Sequence, residues 1–148
     1  MLIDNRVHIW SFKIPAVEEK FKYYSALLSE DEIERAQRFH FQKDRNEYVC
    51  CRGFLRETLG SYLGILPGEI IFDYGQNGKP ELVNSSVAGK IKFNLSHSKE
   101  YAVLALAHTD EIGVDIELIK SIPEMFDIAQ ELYTENENDI LKNSSDES

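Results

Sequence analysis

Five stretches of the chain have the apolar content or the period-two alternation of β-strands: residues 6–14, 69–74, 91–95, 101–107 and 112–118. In the first stretch, alternation predicts Val7, Ile9 and Phe12 on the inner face, with Trp10 at an edge. Pro15 would stop this strand because it cannot donate to a sheet. Residues 101–107 are almost entirely apolar, which predicts a central strand buried on both faces.

Helical spacing of apolar residues occurs in five other segments: residues 17–28, 30–39, 44–63, 124–133 and 134–141. Three of them begin with a capping box, in which glutamate follows the N-cap residue by three positions: Ser29 with Glu32, Asp44 with Glu47, and Thr134 with Glu137. The longest helix, opened by Asp44, ends before Gly64. Its predicted apolar stripe contains Tyr48, Cys51, Leu55, Leu59 and Tyr62.

These elements predict an α+β fold, with an antiparallel sheet and helices packed on one side. Residues 109–111 would turn the central strand back into residues 112–118 as an antiparallel hairpin. We expect one lobe over residues 1–142 and a polar tail over 143–148, since no internal repeat or second domain is evident.

Residues 112–118 are the first candidate for chemistry. Asp115 and Glu117 share one face of the predicted strand, with Cα atoms roughly 7 Å apart from the strand rise. Carboxylates this close repel unless a cation lies between them, and Mg²⁺ is commonly bound by one or two carboxylates together with substrate phosphates. Gly113 would leave room for a ligand. The alternative is an exposed strand with a solvated polar face.

Basic residues are concentrated in one part of an otherwise acidic chain. Six of the 16 Lys and Arg residues lie between positions 35 and 56: Arg35, Arg38, Lys43, Arg45, Arg52 and Arg56. Arginine's planar fork suits phosphate oxygens, so the cluster predicts an anion site. The alternative is a solvated helix flank with ion pairs between helices.

Two shorter motifs add candidates. Residues 75–80 form a glycine-rich turn that lacks the spacing of a P-loop but places Lys79 where a phosphate could be met. Residues 96–98, Ser-His-Ser, end the third predicted strand, which begins at residue 91. His97 is therefore either a ligand contact or a hydrogen-bonding residue of the loop.

Composition excludes several classes of protein. The formal charge of −10 disfavours a nucleic-acid partner, because phosphate backbones select basic surfaces. No apolar run approaches the length of a membrane span, and no signal-peptide pattern is found at the start. The two adjacent cysteines offer neither a bridge nor metal-ligand spacing, so we expect a cytoplasmic protein.

The ordered set of motifs resembles the 4′-phosphopantetheinyl transferases of the surfactin-synthetase-activating type. The similarity is carried by Phe93-Asn94-Leu95-Ser96-His97-Ser98 and Gly113-Val114-Asp115-Ile116-Glu117. Upstream matches are Gly78-Lys79-Pro80, the helix with Asp44-Arg45, Arg52 and Arg56, and Arg35-Ala36-Gln37-Arg38-Phe39. The resemblance runs from about residue 6 to residue 141.

The resemblance implies a Mg²⁺-dependent enzyme that moves the phosphopantetheine arm of coenzyme A onto a serine of a carrier protein. Asp115 and Glu117 would be the magnesium-binding carboxylates. Coenzyme contacts would come from Arg45, Arg52, Lys79, Ser96 and His97. Glu137 would be the catalytic helix carboxylate, although Glu135 could replace it in the alignment. Glu32 stands where the family has a basic residue.

One departure from the family changes the expectation for activity. Members of this type have two lobes, and the second supplies a Trp/Lys-Glu helix that is not found here. We therefore expect the first lobe and the interlobe helix, with weak or no transfer by this chain alone. The alternatives are a non-catalytic module that binds coenzyme A or a carrier protein, and a single lobe that self-assembles to form shared sites.

Overall fold

A computed structural model describes residues 6–14, 18–75, 78–83, 91–108, 111–120 and 124–144, with the backbone alone at 18 and 19. The chain divides into two compact units between Glu117 and Leu118. Outside the described residues lie Pro15, residues 76–77 of the glycine-rich turn, residues 109–110 of the predicted hairpin turn, and residues 145–148 of the predicted tail.

Among the described residues, the first unit contains nine elements, one of which is a 3₁₀ turn. They are β1 (Val7–Lys13), α1 (Glu18–Ser25), α2 (Glu30–Gln37), α3 (Gln42–Leu63), the 3₁₀ turn Pro67–Glu69, β2 (Phe72–Tyr74), β3 (Pro80–Leu82), β4 (Ile91–Ser98) and β5 (Tyr101–His108). This order agrees with the predicted α+β class. Ser96 and His97 lie within β4 rather than after it.

The main sheet has the order β1-β5-β4, and both pairs are antiparallel. β5 is therefore the central strand, as its apolar sequence predicts. Leu104 and Leu106 are fully buried on one of its faces, while Ala105 and Ala107 are 2% and 4% exposed on the other. β2 and β3 form a separate hairpin around the predicted glycine-rich turn, where Gly78 adopts a φ of 69°.

Two of the three residues predicted to point inward from β1 do not, whereas Phe12 does, as predicted. Val7 and Ile9 are 56% and 65% exposed, so their predicted inward orientation is wrong. The side chains that face α3 are His8, Trp10 and Phe12. Phe12 stacks on Phe54 with ring centroids 4.3 Å apart, and the other two bond the hydroxyl of Tyr62. The aromatic contacts with α3 therefore determine which face of β1 points inward, and hydrophobic alternation assigned that face wrongly for Val7 and Ile9.

α3 is the helix around which the first unit packs. It starts at Gln42, two residues before the predicted start, so Asp44 is inside the first turn rather than opening the helix. It ends at Gly64, whose left-handed φ of 70° favours glycine. Leu55 and Leu59 join β4 and β5 in one core cluster, while Val49 and Cys50 join α1 and α2 in a second.

A buried ion pair joins α2 to α3. The Arg56 Nε atom donates to Glu32 Oε2 at 2.6 Å, and both side chains are almost fully buried. Arg56 also donates to the carbonyls of Pro67 and Ile70 and to Ser29 Oγ. The predicted capping box is present, since Glu32 Oε2 also accepts from the Ser29 amide. Glu32 thus caps α2 and neutralises an arginine of α3.

Residues 111–120 do not form a strand, so the predicted strand 112–118 and its hairpin with β5 are wrong. Both neighbours of β5 are already β1 and β4, which leaves no edge for a further partner. The predicted alternation nevertheless survives: Ile112, Val114 and Ile116 are half-buried, whereas Asp115 and Glu117 are exposed. Periodicity indicated which side chains point outward, but not what the backbone pairs with.

The second unit contains α4 (Met125–Leu132) and α5 (Glu135–Ser144), close to the predicted helices. The side chain of Asn138 donates to the carbonyls of Ala129, Tyr133 and Thr134 and thereby ties the two helices together. No helix among the described residues is long and apolar enough to cross a membrane.

Candidate functional site

A cavity of about 410 Å³ opens between α3, the β2–β3 turn and β4. Its wall combines apolar side chains such as Phe39, Leu55 and Phe93 with ionisable ones. The charged and polar lining residues are Arg35, Asp44, Glu47, Tyr48, Arg52, Lys79, Asn94 and His97. A mixed lining of this kind suits a ligand with both apolar and anionic parts.

Three of the predicted coenzyme-contact residues line this cavity: Arg52, Lys79 and His97. They come from α3, the glycine-rich turn and β4, so the fold brings together groups that are up to 45 positions apart in the chain. His97 is exposed and Lys79 is 42% exposed at its side chain, which leaves both accessible to a ligand. The other two predicted contacts, Arg45 and Ser96, do not line the cavity, and the coenzyme-contact roles of all five stay predictions.

Arg52 is held firmly in the cavity wall. Its Nη2 atom donates to the Tyr74 hydroxyl at 2.8 Å, and its Nε atom lies 3.6 Å from Glu32 Oε1. The guanidinium also lies over the rings of Tyr48, Phe72 and Tyr74, 5.3–5.8 Å from their centroids. Burial raises the pKa of Tyr74, opposed by the nearby arginine charge. Arg52 is therefore better placed to shape the wall than to move toward a ligand.

Two buried polar atoms of α3 have no hydrogen-bond partner among the described residues. They are the Tyr48 hydroxyl oxygen and Arg45 Nε. Of the two predicted arginine contacts, Arg52 lines the cavity and Arg45 does not. Tyr48 lies under two guanidinium groups, those of Arg35 and Arg52, each 5.8 Å from its ring centroid.

The acidic segment is attached to β4 by side chains. Ser96 Oγ donates to Asp115 Oδ1 at 2.7 Å, and Asn94 Oδ1 accepts from the Val114 amide at 2.8 Å. Lys79 approaches the same segment, with Nζ 3.4 Å from the Ile112 carbonyl oxygen and 3.6 Å from Glu111. Because Asn94 and Lys79 also line the cavity, they connect it to the segment that carries Asp115.

The carboxylate oxygens of this segment are suitable ligands for a hard dication. Asp115 and Glu117 present exposed carboxylates two residues apart, and oxygen donors are what Mg²⁺ binds. Among the described residues, no group of three or more His, Cys, Asp or Glu side chains is arranged for a metal ion. Further ligands would therefore have to come from water or from a bound phosphate.

Glu137 lies in the second unit and has a structural partner. Its carboxylate accepts from the Thr134 amide at 2.9 Å and from the Thr134 hydroxyl at 2.7 Å, which confirms the predicted capping box. These two bonds lower the pKa of Glu137. The predicted catalytic role, for Glu137 or for Glu135, stays a prediction.

Three residues of this region were missed as site residues by sequence reasoning: Tyr48, Tyr74 and Asn94. Asn94 carried a usable signal, since it precedes Ser96 by two positions and must share a strand face with it. Tyr74 and Tyr48 carried none, because their roles depend on the packing of α2 and β2 against α3.

The fold resembles that of a solved structure. The chain superposes on holo-[acyl-carrier-protein] synthase of Helicobacter pylori, crystallised in complex with coenzyme A, with a TM-score of 0.51. The match covers 70% of this chain and all of that one, at 16% identity. This likeness establishes the α+β lobe.

Sequence similarity then identifies the family. A model of the N-terminal region of 4′-phosphopantetheinyl transferases matches residues 14–109. The chain therefore belongs to the 4′-phosphopantetheinyl transferase superfamily. It is 36% identical to the 4′-phosphopantetheinyl transferase HetI of Nostoc sp. over 146 residues, which are 99% of this chain and 62% of HetI.

A human relative gives the same assignment. The L-aminoadipate-semialdehyde dehydrogenase-phosphopantetheinyl transferase of Homo sapiens is 30% identical over 127 residues, or 81% of this chain and 41% of that protein. The chain thus spans between about two fifths and three fifths of the length of these curated relatives.

Proposed function

We propose that this chain binds coenzyme A in the 410 Å³ cavity, as part of an enzyme that transfers its 4′-phosphopantetheine arm to a serine of a carrier protein. The observation that carries the proposal is the link between the cavity and the acidic segment. Lys79 and Asn94 line the cavity and also contact residues 112–114. A pyrophosphate in the cavity would therefore lie beside Asp115.

The cavity's charged groups suit the parts of coenzyme A. Lys79 and His97 are accessible and would pair with phosphate oxygens, while Arg35 adds a guanidinium to the lining. The apolar side chains of Phe39 and Phe93 would contact the less polar parts of the molecule.

In the proposed reaction, a bond forms between the serine oxygen and the phosphorus that carries the pantetheine arm. The phosphoanhydride bond breaks, and adenosine 3′,5′-bisphosphate leaves. Positioning and charge neutralisation dominate such transfers. Mg²⁺ bound by Asp115 and Glu117 would neutralise pyrophosphate charge. Ser96 would hold Asp115 in place by its 2.7 Å bond, and a carboxylate would accept the serine proton.

Calorimetric titration with coenzyme A tests the binding step. We expect Lys79→Ala and His97→Ala each to raise the Kd by about tenfold, because a charged hydrogen bond contributes roughly 1.5–3 kcal/mol. Lys92→Ala is the matched control, since Lys92 lies on β4, does not line this cavity and pairs with Glu81 at 3.9 Å. Equal affinities in all four proteins would contradict the proposed cavity.

Transfer is tested with a carrier protein and labelled coenzyme A. In any assembly of the chain that is active in transfer, we expect Asp115→Ala to remove Mg²⁺-dependent transfer while leaving the unfolding transition unchanged, since Asp115 is exposed. Transfer that persists in this variant would contradict the metal assignment. Coenzyme A binding without transfer, both by the chain alone and by every assembly that contains it, would favour the alternative, a non-catalytic coenzyme A module.

A further inference from the structure

The segment that carries Asp115 is held to β4 without the hydrogen-bond ladder of a sheet. Residues 111–120 form no strand, yet the Val114 amide donates to Asn94 Oδ1 at 2.8 Å and the Ile116 amide donates to Ser96 Oγ at 3.3 Å. The two acceptors are two residues apart, as are the two donors. Side chains of β4 thus pair with alternate amides, in the way that a neighbouring strand would.

Asn94 makes the shorter of these two amide bonds, and it does so next to the proposed site. Val114 directly precedes Asp115, so fixing its amide restricts the backbone from which the carboxylate projects. Ser96 makes a second hydrogen bond, in which its hydroxyl donates to Asp115 Oδ1. Asn94 also lines the cavity, which places it between the proposed coenzyme and the acidic segment.

We propose that Asn94 is a positioning residue, whose side-chain oxygen fixes Val114 and thereby orients Asp115 toward a magnesium ion and the coenzyme pyrophosphate. The inference rests on the proposed function for the identity of the ion. Groups that orient metal ligands typically contribute 10–100-fold to metal affinity, which sets the expected size of the effect.

The first measurement is amide hydrogen exchange of the full chain by NMR, without metal or coenzyme. We expect the Val114 amide to be protected in the wild type, exposed to exchange in Asn94→Ala, and protected again in Asn94→Asp, whose carboxylate keeps an acceptor at the same place. Lys92→Ala, on the same face of β4, should leave this amide protected. A Val114 amide that exchanges equally in wild type and Asn94→Ala would overturn the proposal, even if Asn94→Ala proved too unstable for other assays.

The second measurement is the ratio of coenzyme A affinities with and without Mg²⁺. We expect Asn94→Ala to lower this ratio by about tenfold or more, while Lys92→Ala leaves it unchanged. An equal loss of affinity in both conditions would show that Asn94 acts on the coenzyme or on packing, and would overturn the proposal. A wild-type ratio of one would instead defeat the metal part of the proposed function, and the positioning role with it.

Discussion

Glu32 shows how a single residue can change the electrostatics of a site. It stands where the family pattern has a basic residue, yet it is 1% exposed and contacts two arginines of α3. A buried carboxylate needs such partners, because leaving it unpaired in a low-dielectric interior is costly. Arg56 is therefore an internal counter-ion rather than a phosphate contact. Part of the basic cluster thus pairs with a buried carboxylate and is not available to a ligand.

Arg56→Met tests the internal pair. The substitution keeps an unbranched side chain but leaves Glu32 with a single charged neighbour, Arg52 at 3.6 Å. We expect the free energy of unfolding, measured with urea, to fall by about 3 kcal/mol, the lower end for breaking a buried pair. Arg38→Met is the control, because its pair with Glu34 at 3.9 Å is solvent-exposed and contributes less than about 0.5 kcal/mol. Similar losses in both variants would contradict this account.

The thiols of Cys50 and Cys51 are buried in the same helix, and burial raises their pKa values to about 11 and about 12. The reactive thiolate forms only as pH approaches these values. At pH 8 we therefore expect the native chain to react with iodoacetamide at least about a hundredfold more slowly than a free thiol. The urea-unfolded chain should react at the ordinary rate. Rapid labelling of the native protein would show that α3 opens locally.

At the scale of elements, α1 approaches α3 closely at a glycine. A Cβ atom added at Gly53 would overlap the Cβ and ring atoms of Tyr24, so one of the two helices would have to shift. Tyr24 is itself buried in the second core cluster, so it has little room to move. Glycine in a helix interior costs stability relative to alanine, and here the close approach explains its presence.

Gly53→Ala should therefore destabilise the chain in spite of alanine's better helix propensity. We expect a loss of about 1–3 kcal/mol in the free energy of unfolding, as for other overpacked sites. Gly68→Ala is the matched control, because an added Cβ there meets no atom within 4 Å. An unchanged or higher midpoint in Gly53→Ala would mean that α1 is not seated on α3.

The cap of α5 gives a prediction with a definite pH dependence. Hydrogen bonds from Thr134 lower the pKa of Glu137 below its ordinary value of 4.5. A lowered folded-state pKa stabilises the helix above pH 4.5, and this contribution is lost as pH falls through the folded value. The Thr134 amide signal should follow this titration by NMR, and Glu137→Gln should abolish it while Glu135→Gln does not. A Glu137 that titrates at 4.5 would contradict the cap.

Elements defined by their own residues could be predicted from the sequence. The capping boxes at Ser29 and Thr134, the central strand and the end of α3 at Gly64 all depend on local chemistry, and all are present. The face of β1 and the pairing of residues 112–118 depend on partners far along the chain, and both predictions failed. In the candidate site, Lys79 and His97 both line the cavity and their roles stay predictions, whereas the burial of Arg52 and the hydrogen bond accepted by Asn94 could be seen only in the folded chain.

At the scale of the whole chain, the two faces of the main sheet differ in what covers them. Leu104 and Leu106 face the core formed with α3, whereas Val7 and Ile9 lie on the opposite face and are more than half exposed. β1 is also an edge strand, whose outer backbone groups can pair with another chain. Apolar surface at a free edge favours association.

We therefore expect the chain to self-associate as its concentration rises, and Ile9→Lys to shift sedimentation toward the monomer. Ser11→Lys is the control, because it adds the same charge to the same face without removing apolar surface. Coenzyme A affinity should be equal in both variants, since the cavity is lined by Phe93, Leu95 and His97 from β4 and by no residue of β1. If Ile9→Lys weakened coenzyme binding as well as association, the association would be part of the site, as in a lobe that completes its cleft with a second copy. A wild-type chain that stays monomeric at every concentration would exclude that arrangement.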